Sequence, residues 1–144
     1  EDVSSEIREP EVNRLVSPVS AVPIIRKKMV ELQRKMAQNT SIIMDGRDIG
    51  TNVLKNADVK IFLTASLDER AQRRYTELIK KGLNVNLESI KADIKKRDDA
   101  DSSRTIDPLK KAEDAYVVDT TALSIDQAVE KVLSIIKEKC EDAV

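Results

Sequence analysis

The segment Asp58-Val-Lys-Ile-Phe-Leu-Thr-Ala-Ser-Leu-Asp-Glu69 shows most plainly how the chain alternates between strand and helix. Its first part is a short apolar run that ends at Thr64, and such runs are typical of buried parallel strands. The pattern Ser66-Leu-Asp-Glu69 follows, which is a capping box that begins a helix, and that helix is predicted to end at Gly82. A strand followed closely by a helix indicates the α/β class.

Two other short apolar runs have the form of this strand. They are Ser41-Ile-Ile-Met-Asp45 and Ala115-Tyr-Val-Val-Asp119, and both end in an acidic residue. Ligands of parallel sheets bind at the carboxyl ends of the strands. The strand ends Asp45, Thr64 and Asp119 are therefore positional candidates for a functional site.

Three further helices are predicted from apolar spacing and from capping residues. One begins at Pro23, because proline fits the first helical position. Its apolar stripe comprises Ile25, Met29, Leu32 and Met36. Another is marked by the apolar spacing of residues 87–94, and the last begins at the capping box Ser124-Ile-Asp-Gln127. An earlier segment, residues 11–16, is predicted to stop at Ser17-Pro18.

The composition excludes several kinds of chemistry. The 144 residues contain 26 acidic and 25 basic side chains, a net charge of -1, so no global field draws the chain to nucleic acid or to a membrane surface. The absence of histidine excludes histidine-dependent triads and histidine-ligated zinc. The single cysteine, Cys140, excludes an internal disulfide and suits a reducing cytoplasm. No apolar run approaches the roughly 20 residues that a membrane span needs.

The segment Asp45-Gly-Arg-Asp48, with Gly50 after it, is the first candidate for a site. Glycine permits a tight turn and a close approach of the backbone. The forked arginine side chain can grip a phosphate through two hydrogen bonds. A turn with a local Asp–Arg pair is the alternative, and the spacing alone does not separate the two interpretations.

Two arginine-rich segments complete the set of candidates. In Arg97-Asp-Asp-Ala-Asp-Ser-Ser-Arg104, two arginines flank three acids, which suits a phosphate and a sugar hydroxyl, but a self-neutralising helix end is the alternative. The side chains of Arg70, Arg73 and Arg74 stand at i, i+3 and i+4, so they are expected to crowd together and attract a polyphosphate. An exposed basic face is the alternative there. Arginine-rich segments at strand ends, in a chain that has no histidine, favour phosphoryl transfer as the chemistry of the site.

Taken in this order, the segments resemble bacterial cytidylate kinases over essentially the whole chain. The segments that carry the resemblance are Glu1-Asp-Val-Ser, Asp45-Gly-Arg-Asp-Ile-Gly, Val59-Lys-Ile-Phe-Leu, Glu69-Arg-Ala-Gln-Arg-Arg and Arg97-Asp-Asp-Ala-Asp-Ser-Ser-Arg104. The family transfers the γ-phosphoryl group of ATP to CMP or dCMP with Mg²⁺. The resemblance implies a cytoplasmic enzyme with no nucleic-acid or membrane partner, and a monomeric full-length parent.

The resemblance also implies roles at the acceptor nucleotide. The residues that would read cytosine are Ser17, Arg26 and Asp48. Those that would hold the CMP phosphate are Arg47, Arg97 and Arg104, and Asp101 would accept a sugar hydroxyl. Cytosine presents an amino donor at N4 that an aspartate can accept, whereas uracil presents an acceptor there, so Asp48 would favour cytosine.

A second group of roles concerns the transfer itself. The residues near the transferred phosphoryl group would be Arg97 and Arg104, while Asp45 would orient Arg47 or the waters of the metal. The arginines of a mobile lid over the ATP phosphates would be Arg70, Arg73 and Arg74. Closure of the lid would exclude water and limit wasteful hydrolysis of ATP.

The chain departs from the family pattern at the ATP site. That site begins with a strand and a P-loop that contains Gly-Lys, whereas Gly46, Gly50 and Gly82 precede Arg, Thr and Leu here. The resemblance places the P-loop unit ahead of Glu1, and its strand between two strands of this chain. The resemblance therefore implies an incomplete P-loop nucleoside-monophosphate-kinase-like parallel sheet flanked by helices, a C-terminal portion that is expected to be inactive alone.

The resemblance divides the chain into four parts. Residues 1–39 are the end of the CMP-binding insert and its return helix, and residues 40–66 are core strands with the acceptor-site loop. Residues 67–106 are the lid and its flanking helices, and residues 107–144 are the last core strand and the C-terminal helix. A non-catalytic anion- or RNA-binding module that uses the basic residues 70–81 is the alternative function, although the low aromatic content disfavours it.

Overall fold

The computed structural model describes residues 2–4 and 6–141, and it opens with consecutive helices. A short 3-10 helix, Glu6–Arg8, is followed by helix α1, Pro10–Ala21, and helix α2, Pro23–Met36. Both α-helices begin at a proline, whose fixed φ and missing N–H suit the first helical position. The two helices pack against each other.

A parallel pair of strands forms the sheet. Strand β1, Ile61–Thr64, pairs with strand β2, Tyr116–Asp119, and the register places Ile61 opposite Tyr116. Helices α3, Leu67–Lys80, and α4, Leu87–Ser103, connect the strands, and helix α5, Ile125–Glu141, follows β2 and packs against it. Parallel strands joined through helices confirm the predicted α/β class.

The start and the end of α3 follow the sequence signals. The Ser66 hydroxyl accepts a hydrogen bond from the Glu69 N–H at 3.1 Å, as the capping box predicts. At the other end Gly82 has a φ of 76°, and the Leu83 N–H bonds to the Leu78 carbonyl at 3.1 Å. This left-handed glycine closes the helix and turns the chain towards α4.

The apolar core of the described residues lies mainly between α3 and α4. Its buried members are Ala71, Leu78 and Ile90, and the partly buried residues around them are Tyr75, Val85, Leu87 and Ile94. In the sheet, Val118 is fully buried, whereas Leu63 on β1 is 62% exposed. The core therefore holds α3 and α4 together, whereas part of the sheet stays exposed.

The prediction of a strand at residues 41–45 is wrong. This segment forms no strand, and Ile43 in its middle is 96% exposed. A strand needs a neighbour to take up its N–H and C=O groups, and the described ladder joins only β1 and β2. Within residues 40–66, β1 is thus the only strand in the described part of the chain.

One prediction about the first two α-helices is also corrected. The segment predicted to stop at Ser17-Pro18 continues as α1 to Ala21. A proline inside a helix removes one backbone hydrogen bond, and because Pro18 is exposed, water can replace the missing donor. Helix α2 begins at Pro23 as predicted, but its apolar stripe is exposed. The exposed stripe residues are Ile25, Met29, Leu32 and Met36. The residues that α2 buries are Arg26 and Val30.

Candidate functional site

A buried ion pair between α2 and the following loop forms the centre of the site. Nη1 of Arg26 donates to Oδ2 of Asp48 at 2.6 Å, and the two side chains are only 9% and 11% exposed. Nε of Arg26 also donates to the Ser20 carbonyl at 3.1 Å, and Nδ2 of Asn52 donates to the same Asp48 oxygen at 3.3 Å. These contacts leave Oδ1 of Asp48 with no hydrogen-bond donor among the described residues.

The loop reaches this position through a tight turn. Residues 46–48 lead into a π-helical turn, Ile49–Val53, which packs against α2. A Cβ atom on Gly46 would lie 2.9 Å from Cγ1 of Ile49, a distance that real side chains essentially never show. Glycine at position 46 therefore lets the Ile49 side chain lie close against the turn, and a larger residue would force that side chain to shift.

The sequence patterns missed a second carboxylate on Arg26. Oδ2 of Asp107 lies 3.5 Å from Nη1 of Arg26. Asp107 has a φ of 49°, although it is not a glycine and precedes Pro108. The residue before a proline normally prefers extended backbone, so this conformation is one that the surrounding contacts must maintain. A lone acid next to a proline carries no pattern that could have predicted the contact.

A second cluster surrounds Asp101 on α4. This residue is 2% exposed, and its Oδ1 accepts a hydrogen bond from Ser17 at 3.0 Å. Three arginines lie around the carboxylate. The distances from Oδ2 are 3.4 Å to Nε of Arg47 and 3.8 Å to Nε of Arg97, and Oδ1 lies 3.8 Å from Nη1 of Arg104. The structure thus brings Asp101 together with the three arginines of the predicted phosphate site. Ser17, predicted to read cytosine beside Arg26 and Asp48, hydrogen-bonds to Asp101 instead.

This cluster contains buried polar atoms without hydrogen bonds. Within the described residues they are Nε of Arg97, Oδ2 of Asp101 and Nη2 of Arg104. Buried donors without acceptors are costly. Two of the three atoms belong to guanidinium groups, so an incoming anion such as a phosphate would satisfy them.

Asp98 is a further site residue that the sequence patterns did not single out. It accepts hydrogen bonds from Nη1 of Arg47 at 3.1 Å and from Nη1 of Arg70 at 2.5 Å. Its position, one residue after Arg97 in a run of acids, gives no sequence signal about which acid faces the site. Asp98 connects the loop after residue 45 with α3 and α4.

The three arginines of α3, expected from their spacing to crowd together, point to different acceptors. Each takes its own acceptors. Arg70 bonds to Asp98, while Arg73 bonds to Glu69 at 2.7 Å and to the Thr120 carbonyl at 2.6 Å. Arg74 bonds to Glu77 at 2.7 Å. Local acceptors reach long guanidinium side chains from several directions, so helical spacing alone does not set where they point.

The strand-end candidates have different surroundings. Asp45 is exposed and forms no hydrogen bond or ion pair with any described residue. The hydroxyl and N–H of Thr121 both donate to Asp119, at 2.6 and 2.9 Å, and these hydrogen bonds hold the pKa of the Asp119 carboxyl below its ordinary value. Thr64 lies beside Asp119 in the sheet, and its carbonyl accepts a bond from the Thr120 hydroxyl at 3.0 Å.

The acidic side chains that the structure describes do not form a dedicated metal cage. No group of three or more potential metal-ligating residues occurs in the portion that the structure describes. Mg²⁺ in kinases keeps several waters and takes only one or two carboxylates besides the substrate phosphates, so it does not need such a group. The exposed carboxylate of Asp45 is chemically available to such a hydrated ion.

The described helices contain no span long and apolar enough to cross a membrane.

Comparison with known proteins matches this chain to one family over nearly its whole length. The family model described as cytidylate kinase matches residues 1–138. The chain is 50% identical over 141 residues to a cytidylate kinase of Bacillus licheniformis and 52% identical over 138 residues to one of Carboxydothermus hydrogenoformans. It is 55% identical over 138 residues to a cytidylate kinase of Lactobacillus johnsonii. These alignments cover 96–98% of this chain but only 60–62% of each relative.

Proposed function

Because the chain belongs to the cytidylate kinase family, we propose that its two buried clusters form the acceptor site for CMP or dCMP. The acceptor receives the γ-phosphoryl group of ATP, which gives CDP or dCDP. The observation that carries the proposal is the Arg26–Asp48 pair, with one carboxylate oxygen that has no donor among the described residues. That oxygen is a ready acceptor for an amino group.

The base is recognised by the hydrogen bonds that this oxygen can make. Cytosine presents an amino donor at N4, whereas uracil presents a carbonyl. With uracil, the buried carboxylate of Asp48 would face another acceptor and stay unpaired, which costs more than the loss of one bond. Arg26 holds Asp48 in place from the other side at 2.6 Å. The pair therefore favours cytosine over uracil.

The sugar and the phosphate bind at the Asp101 cluster. Ser17 anchors Asp101 at 3.0 Å, and Asp101 accepts a sugar hydroxyl. A 3′-hydroxyl is present in both CMP and dCMP, so acceptance of that group permits both substrates. The guanidinium groups of Arg47, Arg97 and Arg104 hold the phosphate, which satisfies the buried donors of Arg97 and Arg104.

The donor side of the reaction involves the α3 arginines and Asp45. Arg70, Arg73 and Arg74 belong to the lid within residues 67–106, and they contact the ATP phosphates when the lid closes, after they release their present partners. Mg²⁺ bound to ATP would supply positive charge that offsets the charge developing during transfer, and the exposed Asp45 carboxylate would hold one of its waters. The 144 residues contain no Gly-Lys P-loop sequence, so the chain by itself is expected to bind CMP but not to turn it over.

The basic side chains of α3 do not favour the alternative of an RNA-binding module. Glu77 lies 2.7 Å from both Arg74 and Lys81, and Glu69 lies 2.7 Å from Arg73. These pairs neutralise much of the charge that would attract a phosphate backbone. We therefore retain the acceptor-site proposal, in a cytoplasmic nucleotide kinase.

Titration calorimetry of the chain with CMP tests the proposal. The expected result is saturable binding of CMP and much weaker binding of UMP, with no ADP formed from ATP and CMP. Absence of CMP binding by the folded chain would contradict the acceptor site. Robust ADP formation would contradict the expected inactivity of the chain alone.

A further inference from the structure

One carboxylate, that of Asp98, bridges two arginines from different elements. Its Oδ1 accepts from Nη1 of Arg47 at 3.1 Å, and its Oδ2 accepts from Nη1 of Arg70 at 2.5 Å. Arg47 lies in the loop before the π-helical turn, Arg70 lies on α3 and Asp98 lies on α4. Two positive groups that the proposed function assigns to phosphates thus meet at a single anionic side chain.

The bridge is accessible to a small anion. The side chains of Arg47 and Arg70 are each 36% exposed and that of Asp98 is 24% exposed, in contrast to the 3% of Asp101. Each arginine also has a second contact that does not depend on Asp98. Nε of Arg70 donates to the Ala65 carbonyl at 3.1 Å, and Nε of Arg47 lies 3.4 Å from Asp101. Both guanidinium groups would therefore stay near the site if Asp98 withdrew.

A carboxylate and a phosphate present similar acceptors to a guanidinium group. Both offer paired oxygens that fit its planar fork, and the phosphate carries more charge and a third oxygen. We propose that Asp98 is a positioning residue that occupies the place of a substrate phosphate between Arg47 and Arg70, and that a phosphate binds there by displacing it. The identity of that phosphate as one of CMP or ATP rests on the proposed function.

Asp98 then has opposite effects on the site in the absence and in the presence of a phosphate. Without ligand, its two charge-assisted hydrogen bonds hold the loop, α3 and α4 together. When a phosphate arrives, the carboxylate competes for the same donors and repels the anion. Removal of its charge should therefore strengthen phosphate binding, whereas loss of a merely structural residue would weaken binding or leave it unchanged.

Titration with inorganic pyrophosphate tests the displacement without a nucleotide. The variants are Asp98→Asn and the control Asp99→Asn, which changes the net charge equally. Asp99 is on the same helix, is 66% exposed and pairs with Lys95 at 2.7 Å. We expect Asp98→Asn to bind pyrophosphate about three- to ten-fold more tightly than the wild type, and Asp99→Asn to stay within about two-fold. If Asp98→Asn does not fold, Asp98→Ser replaces it.

The outcomes separate this proposal from the proposed function. Equal effects of Asp98→Asn and Asp99→Asn, weaker binding by Asp98→Asn, or no pyrophosphate binding by any variant would overturn the role of Asp98. Parallel titrations with CMP and cytidine report on the nucleotide site. If pyrophosphate binds more tightly to Asp98→Asn but CMP binds to no variant, the displacement stands and the proposed function fails.

Discussion

Arg26 and Asp48 lie 2.6 Å apart between α2 and the following loop, and both side chains are almost completely buried. Burial of two charges costs several kcal/mol per ion before their attraction is counted. A buried ion pair is therefore weak evidence of a gain in stability. It is better evidence that the fold holds the Asp48 carboxylate in one orientation. Substitution of Arg26 tests the structural side of this view, and substitution of Asp48 tests its ligand-binding side.

Arg26→Ala should lower the free energy of unfolding markedly. The substitution leaves the Asp48 carboxylate buried without its cation, and breaking a buried pair in this way typically costs about 3–5 kcal/mol. Asp107 also loses its contact with Arg26. Urea denaturation measures the loss, with Lys27→Ala as the control because Lys27 is the exposed neighbour of Arg26. Similar midpoints for the two variants would contradict the structural importance of the pair.

Arg104→Ala should weaken the binding of CMP but not that of cytidine. The Arg104 side chain is 9% exposed, and its Nη2 is one of the buried donors without an acceptor. Loss of a charge-assisted contact with the phosphate should cost about 1.5–3 kcal/mol. Calorimetric titrations with both ligands measure the effect, and Lys110→Ala, at an exposed position, is the control. An equal loss for CMP and cytidine would mean that Arg104 does not act on the phosphate.

Removal of the 3′-hydroxyl of the nucleotide should weaken binding through Asp101. The Asp101 carboxylate is 2% exposed, so a missing sugar hydroxyl would leave a buried acceptor unpaired. We expect dideoxy-CMP to bind roughly ten-fold more weakly than dCMP. In Asp101→Asn, checked for folding by circular dichroism, that difference should shrink. Equal affinities of the wild type for the two nucleotides would show that Asp101 does not read the 3′-hydroxyl.

Glu77→Gln should reduce stability at neutral pH and not in acid. Hydrogen bonds from Lys81 and then Arg74 hold the pKa of Glu77 below its ordinary value of 4.5. A carboxyl with a lowered pKa in the folded state stabilises the protein above its unfolded pKa, and this contribution disappears as the pH falls through the folded pKa.

Because the Glu77 side chain is 44% exposed, the loss at pH 7 should be only about 0.3–1 kcal/mol. Thermal denaturation at pH 7 and at a pH well below 4.5 measures it, and Glu113→Gln, at an exposed position, is the control. A stability difference that persists unchanged into acid would refute the assignment to ionised Glu77.

Local signals in the sequence predicted local structure well. The capping boxes at Ser66 and Ser124 act within one helical turn, and both form the expected hydrogen bonds. Residues 41–45 look like a strand, but strand formation depends on a neighbouring strand that no local pattern can supply. Likewise, the stripe on α2 predicted a helix but not which face is buried, because packing partners decide burial.

In the candidate site, too, local patterns predicted some residues and tertiary packing decided the others. The Gly-Arg-Asp segment predicted a tight turn that could be functional or merely structural, and only the family resemblance gave Asp48 a role in reading the base. No pattern pointed to Asp98 or Asp107, because their contacts with arginines join residues 28 to 81 positions apart. Tertiary packing alone selects which acids of a charged run face the site.

The ratio of CMP to UMP affinity, measured by calorimetry for the wild type and for Asp48→Asn, shows whether Asp48 reads the base. Asparagine keeps the size of the side chain and offers uracil an amide donor, so we expect a clear preference for CMP in the wild type and a reduced or reversed preference in the variant. The same CMP-to-UMP ratio in both proteins, with both folded, would contradict the claim that Asp48 reads the base.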